Sequence, residues 1–218
     1  MNIFALSKCP VESAQQMIDK HIVKMPTETC QMLHTNILFM EYVQAHGKEP
    51  TLRELKAFNQ TWHSDSMKPA MLNHPSTIWA RQSRENFMWL YQHGLALCEE
   101  YTHRYEKEHG SHRRIFYCRL SFDMIDNYQF PQTGLTPVSI AMDDSYRIEN
   151  TFNDDWDFVI ESYRHYYREG KWEFAEWRKN RQPFDWFPSN WFAIKWNRRA
   201  TAYNNAQPRK YPMPLMEE

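Results

Sequence analysis

The sequence contains few cysteines and few glycines. Its 218 residues include four Cys and five Gly. The cysteines, Cys9, Cys30, Cys98 and Cys118, are widely spaced and form no Cys-x-x-Cys pair, so neither a disulfide framework nor a zinc knuckle is indicated. Among ten histidines only His109 and His112 are three residues apart, and no carboxylate-rich motif accompanies them. We therefore expect no metal and no cofactor.

Long apolar runs are also absent. No run is long enough to span a membrane, and the N-terminus lacks a basic region followed by an apolar stretch. A mean hydropathy of -0.80 with 24% charged residues excludes a membrane protein, and nine tryptophans exclude a disordered chain. We expect a compact, soluble monomer with no membrane partner, located in the cytoplasm, or in the host cytoplasm if the chain is phage-encoded.

No segment alternates apolar and polar residues convincingly, so the predicted fold is all-α. We expect one mostly helical domain over residues 1–177 and an irregular, aromatic-rich basic segment over 178–218 that packs on it and ends loosely. The main helix is predicted from about Asp19 to His46, bent near Pro26 and ended by Gly47. Gly94 interrupts the apolar stripe of a second long helix, which indicates that the main helix approaches it closely.

Further boundaries follow from capping signals. Thr51 and Glu54 form a capping box, Ser76 or Thr77 is expected to begin the second long helix, and Asp154 or Asp155 a later one that Gly170 ends. A further helix is predicted over residues 112–126.

Charge is unevenly distributed although the net charge is only -1. Residues 141–161 hold seven acids and one arginine, whereas residues 162–210 hold eleven bases and four acids. The near-neutral total argues against a protein that coats nucleic acid through overall charge. The basic C-terminal quarter nevertheless favours an anionic partner.

One stretch, residues 19–35, combines an apolar face with a polar one. On a helical wheel Ile22, Cys30 and Leu33 share one side, and His21, Lys24 and Glu28 share the other. The structural interpretation is a solvated face with a Lys24–Glu28 pair four residues apart. The functional interpretation is a site in which His21 and Lys24 hold the Glu28 carboxylate ionised.

The pattern of this stretch is Asp19-x-His21, two apolar residues, Pro26, and Glu28 seven positions after the histidine. Downstream come His74-Pro75 before a long helix that ends at residues 97–105, and an Arg/Pro/aromatic run at 181–187. In this order the motifs resemble the pyrimidine-dimer DNA glycosylase family, of the phage endonuclease V type. The family's two arginines beside the glutamate fall at Thr27 and Gln31, neither of which is basic.

The resemblance implies an enzyme that cleaves the base–sugar bond of a damaged or modified pyrimidine in double-stranded DNA. It assigns the catalytic carboxylate to Glu28 and the motif histidine to His21. The family's nucleophile is the α-amine of residue 2, here Asn2, a bulky neighbour that usually leaves Met1 in place. If the chemistry is kept, an N-terminal amine or Lys24 forms an imine, and AP-lyase activity follows. Two alternatives remain open: a phage-type enzyme that modifies or exchanges bases on the same scaffold, or a non-catalytic binder of nucleic acid or a host protein.

Candidate DNA contacts are basic, polar and aromatic side chains in three parts of the chain. The structural alternative is that Arg81 and Arg84 pair with acids, and that the tryptophans pack over the core while their basic neighbours are solvated. The DNA-binding interpretation applies to Lys20, Gln31, His74, Arg81, Arg84, Arg178, Lys179, Arg181, Trp186, Trp191, Lys195, Arg198 and Arg199.

Overall fold

The computed structural model describes residues 1–62, 67–183, 185–206 and 212–217, with the backbone alone for 60–62. Within these ranges the secondary structure is helical without strands, so the all-α prediction is confirmed. The helices are α1 (Pro10–Gln15), α2 (Asp19–His46), α3 (Leu52–Trp62), α4 (Pro75–Ala80), α5 (Arg84–Tyr105), α6 (His112–Tyr117), α7 (Phe122–Asp126), α8 (Asp155–Gly170) and α9 (Trp191–Ala206).

Helix α2 is the long central helix that the sequence predicts. It runs unbroken through Pro26 and ends at Gly47, whose left-handed backbone (φ 67°) lets its N–H donate to Val43 O at 2.8 Å. Helix α5 packs along it. An added Cβ at Gly94 would lie 2.8 Å from Thr29 Cγ2, which confirms that the glycine marks the close approach of the two helices.

Several predicted helix boundaries differ from the observed ones because side-chain hydrogen bonds cap the ends of shorter helices. The second long helix is split into α4 and α5. His74 caps α4 by accepting from Ser76 N, and Ser83 caps α5 by accepting from Asn86 N. The Asn86 side chain also donates to Trp79 O at 3.0 Å, which satisfies a carbonyl at the end of α4.

Other predicted caps are present. Glu54 N donates to Thr51 Oγ1 at 3.2 Å while Thr51 N donates to Glu54 Oε2 at 2.8 Å, so the capping box is confirmed. Asp154 caps α8. The helix predicted over 112–126 is instead α6, a 3₁₀ turn and α7. The C-terminal segment, predicted to be irregular, contains the 16-residue helix α9.

A buried arginine fastens the start of α2 to α5. The Arg104 side chain is fully buried, and its Nε donates to Glu100 Oε1 at 2.6 Å. One terminal nitrogen donates to Asp19 Oδ1 at 2.9 Å and to Met17 O at 2.8 Å, and the other donates to Gln15 O at 2.8 Å. These bonds fix the turn between α1 and α2, and with it the direction in which α2 leaves the turn.

Two indole N–H groups, of Trp177 just before the C-terminal segment and of Trp186 within it, and one arginine of the segment contact the turn between α1 and α2 and helix α5. Trp177 Nε1 donates to Gln16 O at 2.8 Å and Trp186 Nε1 to Gln16 Oε1 at 2.9 Å. Arg181 Nε donates to Glu100 Oε1 at 3.1 Å, so it reaches the same carboxylate as the buried arginine. The division at residue 177 stays a prediction. Among the described helices, none combines the length and the apolar character needed to cross a bilayer.

Replacing Gly94 by Ala tests the helix contact. The added methyl group would meet Thr29 and Ile115, which are both buried, so neither side chain moves freely. We expect Gly94→Ala to lower the free energy of unfolding by about 1–3 kcal/mol despite the better helix propensity of Ala. Gly110→Ala is the control, because a Cβ there meets nothing within 4 Å. Equal urea midpoints for the two variants would contradict the close contact.

Candidate active site

The first residues of the chain form a largely buried segment without regular secondary structure, and the Asn2 side chain holds it in place. Asn2 is 8% exposed. Its Nδ2 donates to Ala141 O at 2.5 Å, and its Oδ1 accepts from Tyr163 OH at 2.8 Å and from Ile3 N at 2.7 Å. The side-chain amide thus uses both of its ends, and the backbone nitrogen of Asn2 is left to face α2.

That backbone nitrogen points at the Glu28 carboxylate. Asn2 N donates to Glu28 Oε2 at 3.1 Å, and the Met1 amine lies 3.8 Å from the same oxygen. Lys24 Nζ binds the other oxygen, Oε1, at 2.9 Å. The Glu28 side chain is 16% exposed, whereas that of Lys24 is 67% exposed. One carboxylate therefore joins the start of the chain to an ammonium group four residues earlier on α2.

Two residues near the N-terminal cap of α4 complete the site. The Thr77 hydroxyl donates to Met1 Sδ at 3.6 Å. Burial lowers the pKa of His74, the positive N-terminal amine lowers it further, and the negative Glu28 opposes the shift. His74 is thus close enough to sense both the amine and the carboxylate. A neutral imidazole here adds a hydrogen-bonding group without adding a second fixed charge.

His21 lies behind the site and not on the outward face predicted from the helical wheel. Its ring stacks on Phe4 with centroids 4.2 Å apart, and Nδ1 is 2.6 Å from Tyr167 OH. Burial, with smaller effects from Lys171 and Lys24, lowers its pKa to about 3. The expectation that a charged His21 helps to ionise Glu28 is therefore wrong. Phe4, in the segment before α1, and helix α8 cover the His21 side chain. A helical wheel contains only residues of its own helix, so it could not predict this burial.

Arg81 and Arg84, which were predicted to contact DNA, both have partners within the fold. Arg81 donates to Leu72 O at 2.8 Å and its guanidinium lies 4.4 Å from the Phe39 ring centre. Arg84 pairs with Asp126 at 2.6 Å. Arg84 thus pairs with an acid, as the structural alternative has it, whereas Arg81 binds a carbonyl oxygen and an aromatic ring and has no acid partner among the described residues.

Most C-terminal cations predicted to contact DNA are also paired with acids. The pairs are Arg178–Asp19 at 3.5 Å, Lys179–Glu106 at 2.6 Å, Arg181–Glu100 at 3.1 Å and Arg198–Glu169 at 3.3 Å. Trp186 and Trp191 are half-buried and pack against Phe187. The sequence did not reveal these ion pairs, because every acid except Glu169 precedes residue 107 and lies far along the chain from its partner.

Three further cations form a separate group. Lys20 lies over the Phe174 ring at 4.4 Å and Lys195 over the Trp191 ring at 4.8 Å, while Arg199 donates to Glu173 O at 2.8 Å. Burial lowers the pKa of Lys195, and the positive charges of Arg199 and Lys20 lower it further against the opposing effects of Glu176 and Glu173. The start of α2 and helix α9 therefore share a positive surface. Gln31 lies on α2 beyond Glu28, and its amide donates to Lys68 O at 3.4 Å.

Sequence analysis missed the two tyrosines of α8 that support the site. Tyr163 holds Asn2 and Tyr167 holds His21, and both are fully buried. Their spacing of four residues, in line with Val159, marks the buried face of an amphipathic helix. That signal predicts core positions without showing which residues they meet. Within the described ranges, no three His, Cys, Asp or Glu side chains cluster as metal ligands.

Together these observations define a class: an all-helical protein with an amine and a carboxylate in contact at a partly exposed site. A family model for pyrimidine dimer DNA glycosylase matches residues 1–112, which is just over half of the 218 residues. The chain belongs to this family of DNA glycosylases. None of the curated proteins and none of the solved structures compared with it matches. The matched part contains the N-terminal segment before α1, Glu28 and His74, whereas α8 and α9 lie outside it.

Neutral, buried His21 should make stability depend on pH. Its pKa of about 3 lies below the ordinary 6.5, so the unfolded chain binds a proton that the folded chain does not. The stabilisation is complete above pH 6.5 and is lost as the pH falls towards 3. When the pH falls from 6.5 to about 5, His21 should cost the unaltered protein about 1.5 kcal/mol of unfolding free energy. We expect His21→Phe to lack this loss.

Urea unfolding at several pH values measures this effect. His103→Gln is the control, since His103 is exposed on the same helix that carries Arg104. An unchanged pH dependence in His21→Phe would show that the imidazole is not held neutral.

Proposed function

We propose that this protein cleaves the base–sugar bond of a damaged or modified pyrimidine in duplex DNA, with an amine as nucleophile and Glu28 as the catalytic carboxylate. The observation that carries the proposal is the contact at the start of the chain. Asn2 N is 3.1 Å and the Met1 amine 3.8 Å from Glu28 Oε2. Because Asn2 N is a backbone amide while Met1 is present, the proton exchange falls to the Met1 amine, which forms an ion pair with Glu28 and must come within hydrogen-bonding distance for the transfer.

The chemistry requires an unprotonated amine that attacks C1′ of the nucleotide. Glu28 is placed to accept a proton from the amine and to stabilise the positive charge that develops on the sugar. As the amine bonds to C1′, the base departs with the electrons of the glycosidic bond. Opening of the sugar ring then leaves an imine. Removal of a C2′ proton, which the proposal again assigns to Glu28, expels the 3′ phosphate and breaks the strand, which is the AP-lyase reaction.

We infer that the N-terminal amine is the nucleophile in preference to Lys24. The Met1 side chain is 3% exposed although the residue as a whole is half-buried, so a packed side chain holds the amine beside Glu28, whereas Lys24 is mostly exposed. Loss of Met1 would turn Asn2 N, already 3.1 Å from Glu28, into the free α-amine. Either N-terminal residue thus presents an amine at the same carboxylate. Intact-mass analysis shows which of the two the protein carries.

Binding of duplex DNA is the second part of the proposal. Lys20, Lys195 and Arg199 form the positive surface beside the first turns of α2, and none of the three has an ion pair with an acid among the described residues. We assign the main phosphate contacts of the C-terminal segment to Lys195 and Arg199. The remaining basic candidates of this segment, which are paired with acids, serve mainly to hold it in place.

An enzyme that modifies or exchanges a base would use the same amine and carboxylate. Thr27 and Gln31, which flank Glu28 without adding positive charge, are the residues that favour this second candidate. Incubation with duplexes that carry different damaged and modified pyrimidines separates the two. A glycosylase releases a free base that mass spectrometry detects, whereas base exchange leaves a full-length duplex of altered mass.

Replacing Glu28 by Gln is the central test. The amide keeps the shape of the side chain but cannot accept a proton at neutral pH, so turnover should fall by a factor of about 10² or more. Duplex affinity should stay the same or rise slightly, because a negative charge is removed. Base release is measured by mass spectrometry, and affinity by fluorescence anisotropy.

Asp144→Asn is a matched control, since it removes a carboxylate that pairs with Arg147 at 2.9 Å on the surface. It should retain full turnover. Full turnover in Glu28→Gln together with a lower melting temperature would instead mean that Glu28 is only a structural partner of Lys24, and the proposed function would be wrong.

Borohydride trapping identifies the nucleophile. An imine between the protein and an abasic-site duplex is reducible, so borohydride should yield a stable covalent adduct. We expect peptide mapping to place the adduct on the N-terminal residue. Lys24→Met should therefore still form the adduct while losing part of its activity, because Glu28 loses the partner at 2.9 Å. Loss of the adduct in Lys24→Met would assign the nucleophile to Lys24, and base release without any adduct would indicate attack by water.

A further inference from the structure

Helix α6 and the turn after it present an unusually exposed basic and aromatic surface. Ile115 and Cys118 are buried, while Arg113, Arg114 and Tyr117 face solvent. Together with Gly110, these three line an open depression of about 410 Å³, a volume within the range of ligand sites. The Arg113 guanidinium lies 5.4 Å from the centre of the Tyr117 ring, which limits the directions that it can take.

The charge of Arg113 is not neutralised within the part of the chain that the structure describes. No salt bridge there includes Arg113, and the neighbouring acid, Glu108, pairs with His112 at 3.5 Å. This differs from Arg84, Arg178 and Arg198, each of which has a carboxylate within 3.5 Å. Because Arg113 is exposed and has no acid partner among the described residues, it is available to an external anion.

The residues just before α6 contact α2 in the turn that precedes Glu28. His109 Nε2 is 3.2 Å from Val23 O, and Ser111 Oγ is 3.4 Å from Thr27 Oγ1, the residue before Glu28. Further along α2, burial raises the pKa of the Cys30 thiol to about 12, and the positive charge of Arg114 partly opposes this rise. Helix α6 therefore follows α2 on the side of Thr27, whereas Lys20 and helix α9 lie at its start.

We propose that the α6 depression binds a backbone phosphate of the duplex on which Glu28 acts. Arg113 supplies the main contact and Arg114 adds positive charge. The inference rests on the proposed function, because it takes the anion to be the DNA on which Glu28 acts. It supplies, from another helix, positive charge that Thr27 and Gln31 do not provide. Since Arg113 lies beyond the family match, which ends at residue 112, the match assigns it no role.

Salt-dependent binding of a short fluorescent duplex tests the proposal, with and without a damaged pyrimidine. For Arg113→Gln, the slope of log K against log salt concentration should become shallower by about 0.9, the value for one lost phosphate contact. The change should be equal on damaged and undamaged duplex, because a phosphate contact does not read the base. Arg113→Lys should restore the slope, since it restores the charge.

Arg53→Gln is the matched control, because it removes an exposed arginine on α3. This helix contacts the far end of α2, where the rings of Tyr42 and Phe58 meet. At about 1.5 Å per residue, Tyr42 is roughly 20 Å along α2 from Glu28. The Arg53→Gln slope should equal that of the unaltered protein.

The outcomes separate this inference from the proposed function. An unchanged slope in Arg113→Gln, with Glu28→Gln still abolishing base release, overturns the α6 contact alone. A slope that changes equally in Arg113→Gln and Arg53→Gln also overturns it, because the effect would then be one of overall charge. No duplex binding by the unaltered protein would overturn both proposals. Borohydride adducts formed by Arg113→Gln at saturating DNA should equal those of the unaltered protein, since Arg113 does not touch the reacting atoms.

Discussion

The hydrogen bonds of the buried Arg104 guanidinium are the interaction on which the rest of the structure depends. Its charge is fully removed from solvent and is compensated by Glu100 on its own helix and by Asp19 at the start of α2. Removing one partner from a buried ion pair costs about 3–5 kcal/mol, because the other charge is left uncompensated. The same two carboxylates also bind the C-terminal segment, through Arg181 and through the backbone N–H of Arg178. One network thus joins the α1–α2 turn, α5 and the chain after residue 177.

The position of the active site follows from this junction. Glu28 is nine residues beyond Asp19 on α2, so the direction set at Asp19 decides where the carboxylate lies. The amine belongs to the N-terminal segment before α1, whose direction is set by the hydrogen bond between Asn2 and Tyr163. Different parts of the fold therefore position the amine and the carboxylate. The two groups meet because α8 supports the N-terminal segment and α5 supports α2.

The electrostatic arrangement around Glu28 is asymmetric. Lys24 and the N-terminal amine compensate the carboxylate directly, and the buried His21 and half-buried His74 both have lowered pKa values. Most of the described arginines in the basic C-terminal quarter form ion pairs that stabilise the fold. Among the residues that the structure describes, several cations form no ion pair with an acid, and those proposed to contact DNA lie on two sides of α2: Lys20, Lys195 and Arg199 near its start, and Arg113 on the side of Thr27. The net charge of the chain, close to zero, conceals this division.

The sequence by itself determined the helical class, the extent of α2, the capping box at Thr51 and the close approach at Gly94, because each depends on local spacing or on a single backbone property. Its motif order also predicted the family and singled out Glu28. Only the tertiary structure decided that His21 is buried and neutral, that Ser83 begins a separate helix, and that α9 follows residue 190. It also showed that Asn2 faces Glu28 and that the acids Asp19, Glu100 and Glu106 pair with cations 73 to 159 residues away. Such partners come from chain segments far apart in sequence, and a helical wheel contains only the neighbours within one helix.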